Sequence, residues 1–304
     1  MMRTSSKILQ KIGQILIYVV IFIFIGKILS NNWSDISVSL KSANYLLLLS
    51  GIFLIVLILY LQSYIWHLLL KQSNNTLKFS ASFITYFKSV ITRYLPGGIW
   101  VYFARTYLTG KLGFKKTQII FLILIESLFV VATGSISILL FQPPSDIYII
   151  IAILSIILTI TGFVFIFSPS FFIKIYKTFY NKILSIIPLN RQTIAKATSL
   201  YFILWILSGL FLYIIINAFT PLGVDNIPSL IGIYAISWVV GFVVFFMPSG
   251  IGVRDVFLII LLSTIVSVPI ATLVALIARI VFLIGEIICF FISLIIEKKH
   301  PLPN

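Results

Sequence analysis

Charged residues are scarce in this chain, and acidic residues are the scarcest. Of its 304 residues, 10% are charged, and only seven are Asp or Glu against 22 Lys or Arg. A soluble domain carries about a quarter charged residues. Because 61% of the residues are hydrophobic, the composition excludes a soluble domain and indicates an all-α, polytopic helical membrane protein.

Cysteine and metal-binding patterns are nearly absent as well. The single cysteine, Cys289, lies in an apolar run, which excludes an intrachain disulfide and a Cys-rich metal site. The sequence contains no Asp-x-Asp or His-x-x-x-His pair and no Gly-x-x-x-x-Gly-Lys-Ser/Thr loop for ATP. We therefore expect no metal ion and no cofactor.

The basic residues point to membrane topology rather than to nucleic acid. A formal net charge of +15 would suit a nucleic-acid-binding protein if the bases formed one patch. They lie instead in short loops beside apolar runs, where they help to set the orientation of the chain in the membrane. We expect no nucleic-acid partner.

Apolar runs long enough to cross a bilayer, about 20 residues each, recur along the chain. The N-terminal run lacks a small-x-small cleavage site, so we interpret it as a retained span rather than a signal peptide. A shorter apolar piece before Pro269 is taken as a further crossing. The predicted spans are residues 12–29, 45–70, 117–141, 147–168, 200–219, 227–247, 256–268 and 270–296.

The stretch from Phe79 to Gly110 is too polar and too broken for an ordinary span. Residues 79–94 and 99–108 have helical patterns, and Pro96, Gly97 and Gly98 separate them. Two half-helices around a break predict a re-entrant hairpin. The alternative is an amphipathic helix lying on the membrane surface.

The distribution of Lys and Arg predicts the orientation. If the hairpin enters from the cytoplasm, about eight spans leave both termini cytoplasmic. Nineteen Lys and Arg residues then lie on the cytoplasmic side, whereas the outside loops contain Lys41 alone. The nineteen include the bases of residues 171–198, which we interpret as a basic interfacial segment. We therefore expect a multi-pass protein of a prokaryotic cytoplasmic membrane, with its helix breaks at the cytoplasmic face.

A second break lies between Met247 and Asp255, in the segment Pro-Ser-Gly-Ile-Gly-Val-Arg-Asp. Pro lacks an N–H and Gly is unfavourable inside a helix, so no helix runs easily through it. Broken helices present backbone N–H groups and helix N-termini to anions. Arg105 and Arg254, each shortly after a break, add guanidinium groups suited to phosphate. The alternative is that Arg254 and Asp255 form an ordinary interfacial anchor.

Three ionisable residues fall well inside apolar runs: Glu126, Arg279 and Glu286. Such groups cost several kcal/mol unless they are paired or hydrated, so they often mark a functional site. Arg279 and Glu286 share one helix face but are about 10 Å apart along the axis, too far for a direct ion pair. Glu126 needs a partner from another segment, and Arg105, Arg254 and Arg279 are candidates. The alternative is that these charges only join helices.

Together these motifs resemble the lysylphosphatidylglycerol synthase transmembrane-region family, also called the flippase-like domain. The resemblance rests on the Pro-Gly-Gly break followed by Arg105, on Glu126 in the next span, on the Pro-Ser-Gly-Ile-Gly-Val-Arg254-Asp255 segment, and on Arg279 in the last span. It covers residues 45–296 of a chain that we treat as one domain, 1–304. The parallel between the two breaks suggests an inverted repeat.

The sequence departs from the family pattern at three places. Asp255 stands where the family usually has Glu, and Ile99 and Trp100 follow the first break where a small or acidic residue is usual. In the family's aminoacyl-lipid synthases, an aminoacyl-transferase domain follows this region. Because the sequence ends at Asn304, the expectation is the lipid-translocating half without the transferase.

The resemblance implies a flippase-like protein, not an enzyme, that binds a membrane lipid with an anionic or phosphate-containing headgroup and moves it between leaflets. The headgroup would be bound by Arg254, Asp255 and Arg105 with Gly250, Gly252, Gly97 and Gly98, and Asp255 would orient Arg254 or contact an amine. Glu126, Arg279 and Glu286 would line a polar track. Two alternatives are a membrane-embedded transferase acting on a lipid-linked substrate and a non-transporting subunit of envelope assembly. A homodimer or an envelope-synthesis partner is also considered.

Overall fold

The computed structural model describes residues 26–27, 30–31, 33–73, 76–95, 99–141, 190–243 and 252–302, and positions 149–151, 153–154, 156–157 and 159–160. Within these residues the chain is helical, without a β-strand. The helices are α1 (Trp33–Lys41), α2 (Tyr45–Lys71), α3 (Phe79–Val90), α4 (Trp100–Gly110), α5 (Lys116–Phe141), α6 (Arg191–Asn217), α7 (Ile227–Val243), α8 (Val253–Leu262) and α9 (Val268–Lys299).

Five described segments are long and apolar enough to cross a membrane: Tyr45–Lys71, Lys116–Phe141, Arg191–Asn217, Val224–Phe242 and Val268–Lys299. They coincide with predicted spans, and the all-α polytopic architecture is confirmed. The predicted spans at 12–29 and 147–168 lie largely outside the described residues, as does most of the basic segment at 171–198.

Two connections differ from a simple link between spans. The polar connection between the predicted spans 12–29 and 45–70 contains the helix Trp33–Lys41. Helix α6 begins nine residues before the predicted position, because the side chain of Asn190 accepts a hydrogen bond from the Gln192 N–H and caps the helix there. Residues 191–198 therefore start a span rather than end an interfacial segment.

Helices α2 and α6 are antiparallel and define the two ends of the bundle. At one end, the Asn44 N–H donates to the Ala218 carbonyl at 2.8 Å. At the other, the Gln72 amide donates to Thr193 Oγ1 at 2.7 Å and accepts from the Asn190 N–H at 3.3 Å. We call these the Asn44 end and the Gln72 end.

The stretch from Phe79 to Gly110 is a hairpin inside the bundle. Helix α3 continues into a 3₁₀ turn, Ile91–Tyr94, and packs against α4. Eight of its twelve residues are buried, and Ser82 Oγ lies 3.0 Å from Nδ1 of the buried His67 on α2. A helix lying on a membrane surface would not be buried on most of its sides, so the hairpin prediction describes the fold correctly.

This first hairpin enters from the Gln72 end. Lys88 on α3 pairs with Glu297 near the end of α9, and Arg93 pairs with Glu286, further back along α9. Helix α3 therefore runs antiparallel to α9 and advances toward the middle of the bundle. The residues of the break itself, Pro96, Gly97 and Gly98, lie outside the described residues.

A second hairpin enters from the opposite end. Helix α7 starts just after the loop that follows Ala218, and α8 returns alongside it to reach α9 through residues 263–267. The ten residues of α8 extend about 15 Å, half of a hydrocarbon core of about 30 Å. The predicted crossing at 256–268 is therefore wrong, because its apolar run includes the turn between α8 and α9.

The start of α8 lies deep in the bundle, where two glycines permit a close approach. Gly252 precedes the helix with φ of 93°, a left-handed backbone conformation that favours glycine. A Cβ added to Gly241 on α7 would lie 3.0 Å from Arg254 Cβ. Arg254 and Asp255 lie about 15 Å from the Asn44 end, so the described end of this break is at depth in the bundle. The expectation that the break faces the cytoplasm stays a prediction.

Candidate functional site

A central cavity of about 210 Å³ lies between the two hairpins and the long helices. It brings together ionisable residues from both hairpins and from α5 and α9, with aromatic and hydroxyl side chains between them. In the described part of the chain its charged lining consists of Arg93, Arg105, Glu126, Arg254, Asp255 and Arg279.

Arg105, on the returning arm of the first hairpin, pairs with Glu126. Its Nη1 lies 2.6 Å from Glu126 Oε2, and its Nε donates to Ser89 Oγ at 3.3 Å. The guanidinium carbon lies 4.2 Å from the ring centre of Tyr86 and 5.0 Å from that of Trp66. Arg105 is only 4% exposed, so this cation is buried, neutralised by Glu126 and packed against two aromatic rings.

Arg93, at the tip of the first hairpin, pairs with Glu286. Nη1 of Arg93 lies 2.8 Å from Glu286 Oε1, and the Tyr94 hydroxyl donates to Oε2 at 2.5 Å. Glu286 is completely buried. Both of its oxygens are therefore bonded, so Glu286 fastens the hairpin tip to α9 and contacts the cavity only through its partners.

Asp255, at the start of α8, pairs with Arg279 on α9. Oδ2 of Asp255 accepts from Arg279 Nη1 at 2.5 Å and from the Gly252 N–H at 3.1 Å. The second bond satisfies one of the free N–H groups at the start of α8. Asp255 was expected to orient Arg254. In the structure it bonds instead to Arg279 and to the N-terminus of α8.

Arg254 is held by aromatic groups instead of a carboxylate. Its Nη2 donates to the Tyr234 hydroxyl at 2.7 Å. Its guanidinium carbon lies 5.0 Å from the ring centre of Tyr234, 5.1 Å from that of Trp238 and 5.6 Å from that of Phe282. Of the four cavity arginines, it is the one without a carboxylate within ion-pair distance among the described residues.

The structure brings together most of the residues that the sequence singled out. Of the seven proposed headgroup residues, Arg105, Arg254, Asp255 and Gly252 lie at or beside the cavity, whereas Gly97, Gly98 and Gly250 lie outside the described residues. Glu126 and Arg279 line the cavity, and Glu286 lies behind it. The sequence analysis correctly included Arg105 among the candidate partners of Glu126.

Two groups of site residues were missed. Arg93 was counted only as a cytoplasmic base, although its position three residues before Pro96 was a signal that it would sit at a hairpin tip. The aromatic residues around Arg254 come from α7 and α9, and in an aromatic-rich chain they carry no distinguishing pattern. Only packing identifies them.

The family profile described as "Lysylphosphatidylglycerol synthase TM region" matches residues 11–288. The match includes both hairpins, all of the cavity residues named above and the larger part of α9. No curated protein matches the chain.

Proposed function

Because the chain belongs to the lysylphosphatidylglycerol synthase transmembrane-region family, we propose that it binds a lipid with an anionic or phosphate-containing headgroup and moves it between leaflets. The central cavity would receive the headgroup, and the lipid tails would stay in the bilayer. The proposed location is a prokaryotic cytoplasmic membrane.

The observation that carries this proposal is Arg254. A cation at membrane depth costs several kcal/mol unless it is paired or hydrated. Arg254 faces the cavity with aromatic neighbours, one tyrosine hydrogen bond and no carboxylate partner among the described residues. A headgroup phosphate would supply the missing anion, because guanidinium binds phosphate oxygens through two parallel N–H groups.

The two hairpins support movement rather than static binding. They enter from opposite ends, and the first turns of α4 and α8 both line the cavity, through Val101 and Tyr102 and through Arg254 and Asp255. Half-helices that start at membrane depth are typical of transporter sites, because their N-termini favour anions. In the proposed movement, each hairpin would shift against the long helices from its own end of the bundle.

A transport role is preferred to a transferase role because the cavity carboxylates are engaged. Asp255, Glu126 and Glu286 each accept a hydrogen bond from an arginine. A catalytic acid or base needs access to the substrate proton that it transfers. Without an ATP-binding motif in the sequence, the proposed movement is passive or coupled to an ion gradient.

The proposed orientation follows from the basic residues at the two ends. The Gln72 end carries Lys71, Lys78, Lys111, Lys115, Lys116, Arg191, Lys196, Lys298 and Lys299, whereas Lys41 lies near the Asn44 end. Short loops rich in Lys and Arg stay in the cytoplasm. We therefore assign the Gln72 end to the cytoplasmic side, with the C-terminus there.

A scrambling assay in proteoliposomes tests the proposal. Vesicles would contain a trace of tail-labelled phosphatidylglycerol, and a membrane-impermeant reductant added outside would bleach only the outer leaflet. Protein that moves lipid exposes the inner-leaflet label as well. Arg254→Ala and Glu126→Gln should slow this loss at least about tenfold, since each removes a charge-assisted contact of about 1.5–3 kcal/mol.

The matched control is Glu297→Gln, which changes a carboxylate of the Lys88 pair at the Gln72 end, away from the cavity. This variant should move lipid at the wild-type rate. Wild-type movement in both cavity variants would reject the site. Equal bleaching in protein-free and protein-containing vesicles would reject lipid movement.

A further inference from the structure

Resting on the proposed function, we propose that lipid movement is coupled to the movement of protons, with Asp255 as the residue that binds the proton. Asp255 lies in the first turn of α8, next to Arg254, and both line the central cavity. The proton enters from the solution on one side of the membrane, binds to a carboxylate oxygen of Asp255 and leaves on the other side. Its gradient is therefore what drives the lipid.

Asp255 has an oxygen available for a proton. Its Oδ2 accepts from Arg279 Nη1 and from the Gly252 N–H, whereas its Oδ1 has no hydrogen-bond partner among the described residues. The side chain lines the cavity. A proton on Oδ1 therefore leaves both contacts of Oδ2 in place, so the start of α8 keeps the group that satisfies its free N–H.

Most other ionisable groups of the cavity keep their protons near neutral pH. Apart from Glu126 and Asp255, the ionisable side chains of the described lining are tyrosines and arginines, which are protonated in that range. Helix α2 contributes Ile58 and Gln62, neither of which titrates. Proton exchange through the cavity is therefore left to the two carboxylates. The tyrosines and arginines are Tyr86, Arg93, Tyr94, Tyr102, Arg105, Tyr201, Tyr234, Arg254 and Arg279.

The partner of Asp255 is freer to move than the partner of Glu126. Arg105 has a side chain that is only 5% exposed, and it is also fixed by a serine and two aromatic rings. The side chain of Arg279 is 31% exposed, and its described hydrogen bond goes to Asp255 alone. Glu286, the third carboxylate at depth, has both oxygens bonded and is completely buried. These differences single out Asp255 as the proton site.

A headgroup phosphate and a proton favour each other at this site. A neutral carboxyl group holds a guanidinium less strongly than a carboxylate does, because charge-assisted hydrogen bonds are about twice as strong as neutral ones. Protonation of Asp255 thus frees Arg279 to turn toward a phosphate held by Arg254. Conversely, the negative charge of that phosphate disfavours an ionised Asp255. Such coupling is reciprocal, so the lipid and the proton cross together.

The same ion pair connects proton binding to the position of the second hairpin. Asp255 and Arg279 join α8 to α9, and a neutral Asp255 weakens this connection. The second hairpin is then less firmly held against the long helices, which assists the shift suggested above. The proton thus acts on the half-helix that carries Arg254.

The test measures how an imposed pH gradient distributes the lipid. Wild-type protein is placed in phosphatidylcholine vesicles with a trace of short-chain, tail-labelled phosphatidylglycerol. The solution outside is about one pH unit more acidic than the lumen, and both are near neutral. Valinomycin with equal potassium on both sides clamps the membrane potential. Once the distribution is constant, albumin added outside rapidly extracts the label of the outer leaflet.

Coupling predicts an unequal final distribution. The phosphodiester of phosphatidylglycerol is ionised at both pH values, so passive movement leaves the label equally divided. One proton crossing with each lipid should enrich the label up to about tenfold in the leaflet that faces the more alkaline lumen, because one pH unit is a tenfold ratio of protons. This limit is the same for both orientations of the protein in the vesicle. Reversal of the gradient should reverse the enrichment.

Four variants locate the proton site. Asp255→Asn keeps the size of the side chain and an oxygen for the Gly252 N–H but binds no proton, so its final distribution should be equal. Asp255→Glu restores a carboxylate and should restore the enrichment. Glu126→Gln should move lipid more slowly yet reach the wild-type enrichment. Glu297→Gln, away from the cavity, should keep both the rate and the enrichment.

Proton uptake on binding gives a second measurement that does not require transport. Phosphatidylglycerol is added to the purified protein in weakly buffered detergent near neutral pH, and a pH indicator follows the solution. The wild-type protein should take up protons, whereas Asp255→Asn should take up none. Equal uptake by the two would overturn the role of Asp255, and so would an unchanged enrichment in the vesicles.

The outcomes separate this inference from the proposed function. If wild-type protein redistributes the label faster than protein-free vesicles but always to an equal division, the proton coupling is overturned and lipid movement stands. Enrichment in the leaflet on the acidic side would overturn the joint crossing of lipid and proton. If no label moves above the protein-free rate, the proposed function fails, and the coupling with it.

Discussion

The first hairpin, residues 79–110, and the second, residues 227–262, each end in a half-helix that forms an ion pair with the long helix after it. In the first, the half-helix provides the cation, Arg105, and α5 provides the acid, Glu126. In the second, the half-helix provides the acid, Asp255, and α9 provides the cation, Arg279. The partner on the long helix is the eleventh residue of α5 and the twelfth of α9. The two hairpins thus share a plan with the charges exchanged.

The hairpins differ in the surroundings of the arginine that takes no part in this shared pair. Arg93 of the first hairpin is neutralised by the buried Glu286, whereas Arg254 of the second contacts Tyr234 and aromatic rings. The first hairpin is therefore electrostatically complete within the protein. The second presents an arginine whose described contacts leave its charge uncompensated. Within the proposed function, this difference assigns the first hairpin mainly to the scaffold and the second to the binding of the headgroup.

The largest expected effect comes from giving the first hairpin an uncompensated arginine too. Glu286→Ala removes the buried carboxylate and leaves the partly buried Arg93 without its partner, which should cost about 3 kcal/mol. The measurement is unfolding of the purified protein in detergent, followed by tryptophan fluorescence. Glu297→Ala is the control, because its side chain is 26% exposed and a solvent-accessible pair contributes about 0–1 kcal/mol. Equal destabilisation by the two changes would contradict a buried, structural Glu286.

The same substitution in both half-helices gives the next largest difference. Arg105→Ala leaves Glu126 unpaired and should destabilise the protein by about 3 kcal/mol. Arg254→Ala removes one hydrogen bond and aromatic contacts, so it should cost only about 1 kcal/mol while still slowing lipid movement. Unfolding and scrambling are measured on the same preparations. If Arg254→Ala proved the more destabilising change, Arg254 would be a scaffold residue and the contrast between the hairpins would fail.

The smallest effect concerns two glycines with similar backbone conformations. Gly113, between α4 and α5, has φ of 87°, and Gly252, before α8, has φ of 93°. Alanine at either position should cost about 1–2 kcal/mol, because a Cβ is strained in the left-handed region. Only Gly252→Ala should slow lipid movement, since it also disturbs the start of α8 that carries Arg254. Equal transport by the two variants would show that the start of α8 tolerates displacement.

Part of the fold follows from apolar runs alone. Spans α2 and α5 were placed to within a residue at their described ends, because a run of about 20 apolar residues has few stable forms in a bilayer. The positions of Pro and Gly also predicted where the helices break. The site residues at membrane depth were recognisable for a related reason, since charge is rare there and so points to function or pairing.

The length of α8 and the ion-pair partners of the charged residues at depth could not be predicted from the sequence. Residues 263–267, Ser-Thr-Ile-Val-Ser, contain neither Gly nor Pro to mark the turn, so the half-helix before them resembles part of a crossing. Arg279 and Glu286 lie on the same helix, yet one bonds to α8 and the other to the tip of the first hairpin. Partners that come from distant segments leave no local pattern in the sequence.

Composition and apolar runs are enough to identify a helical membrane protein, to locate most of its long helices and to find the few charges at depth. They are enough because the bilayer penalises polar groups residue by residue, so each exception is visible in the chain. The opposite entry of the two hairpins, the neutralisation of three arginines and the lack of a described carboxylate partner for Arg254 are properties of the folded chain. Ion pairing depends on distances between segments up to 209 residues apart, and folding alone sets those distances.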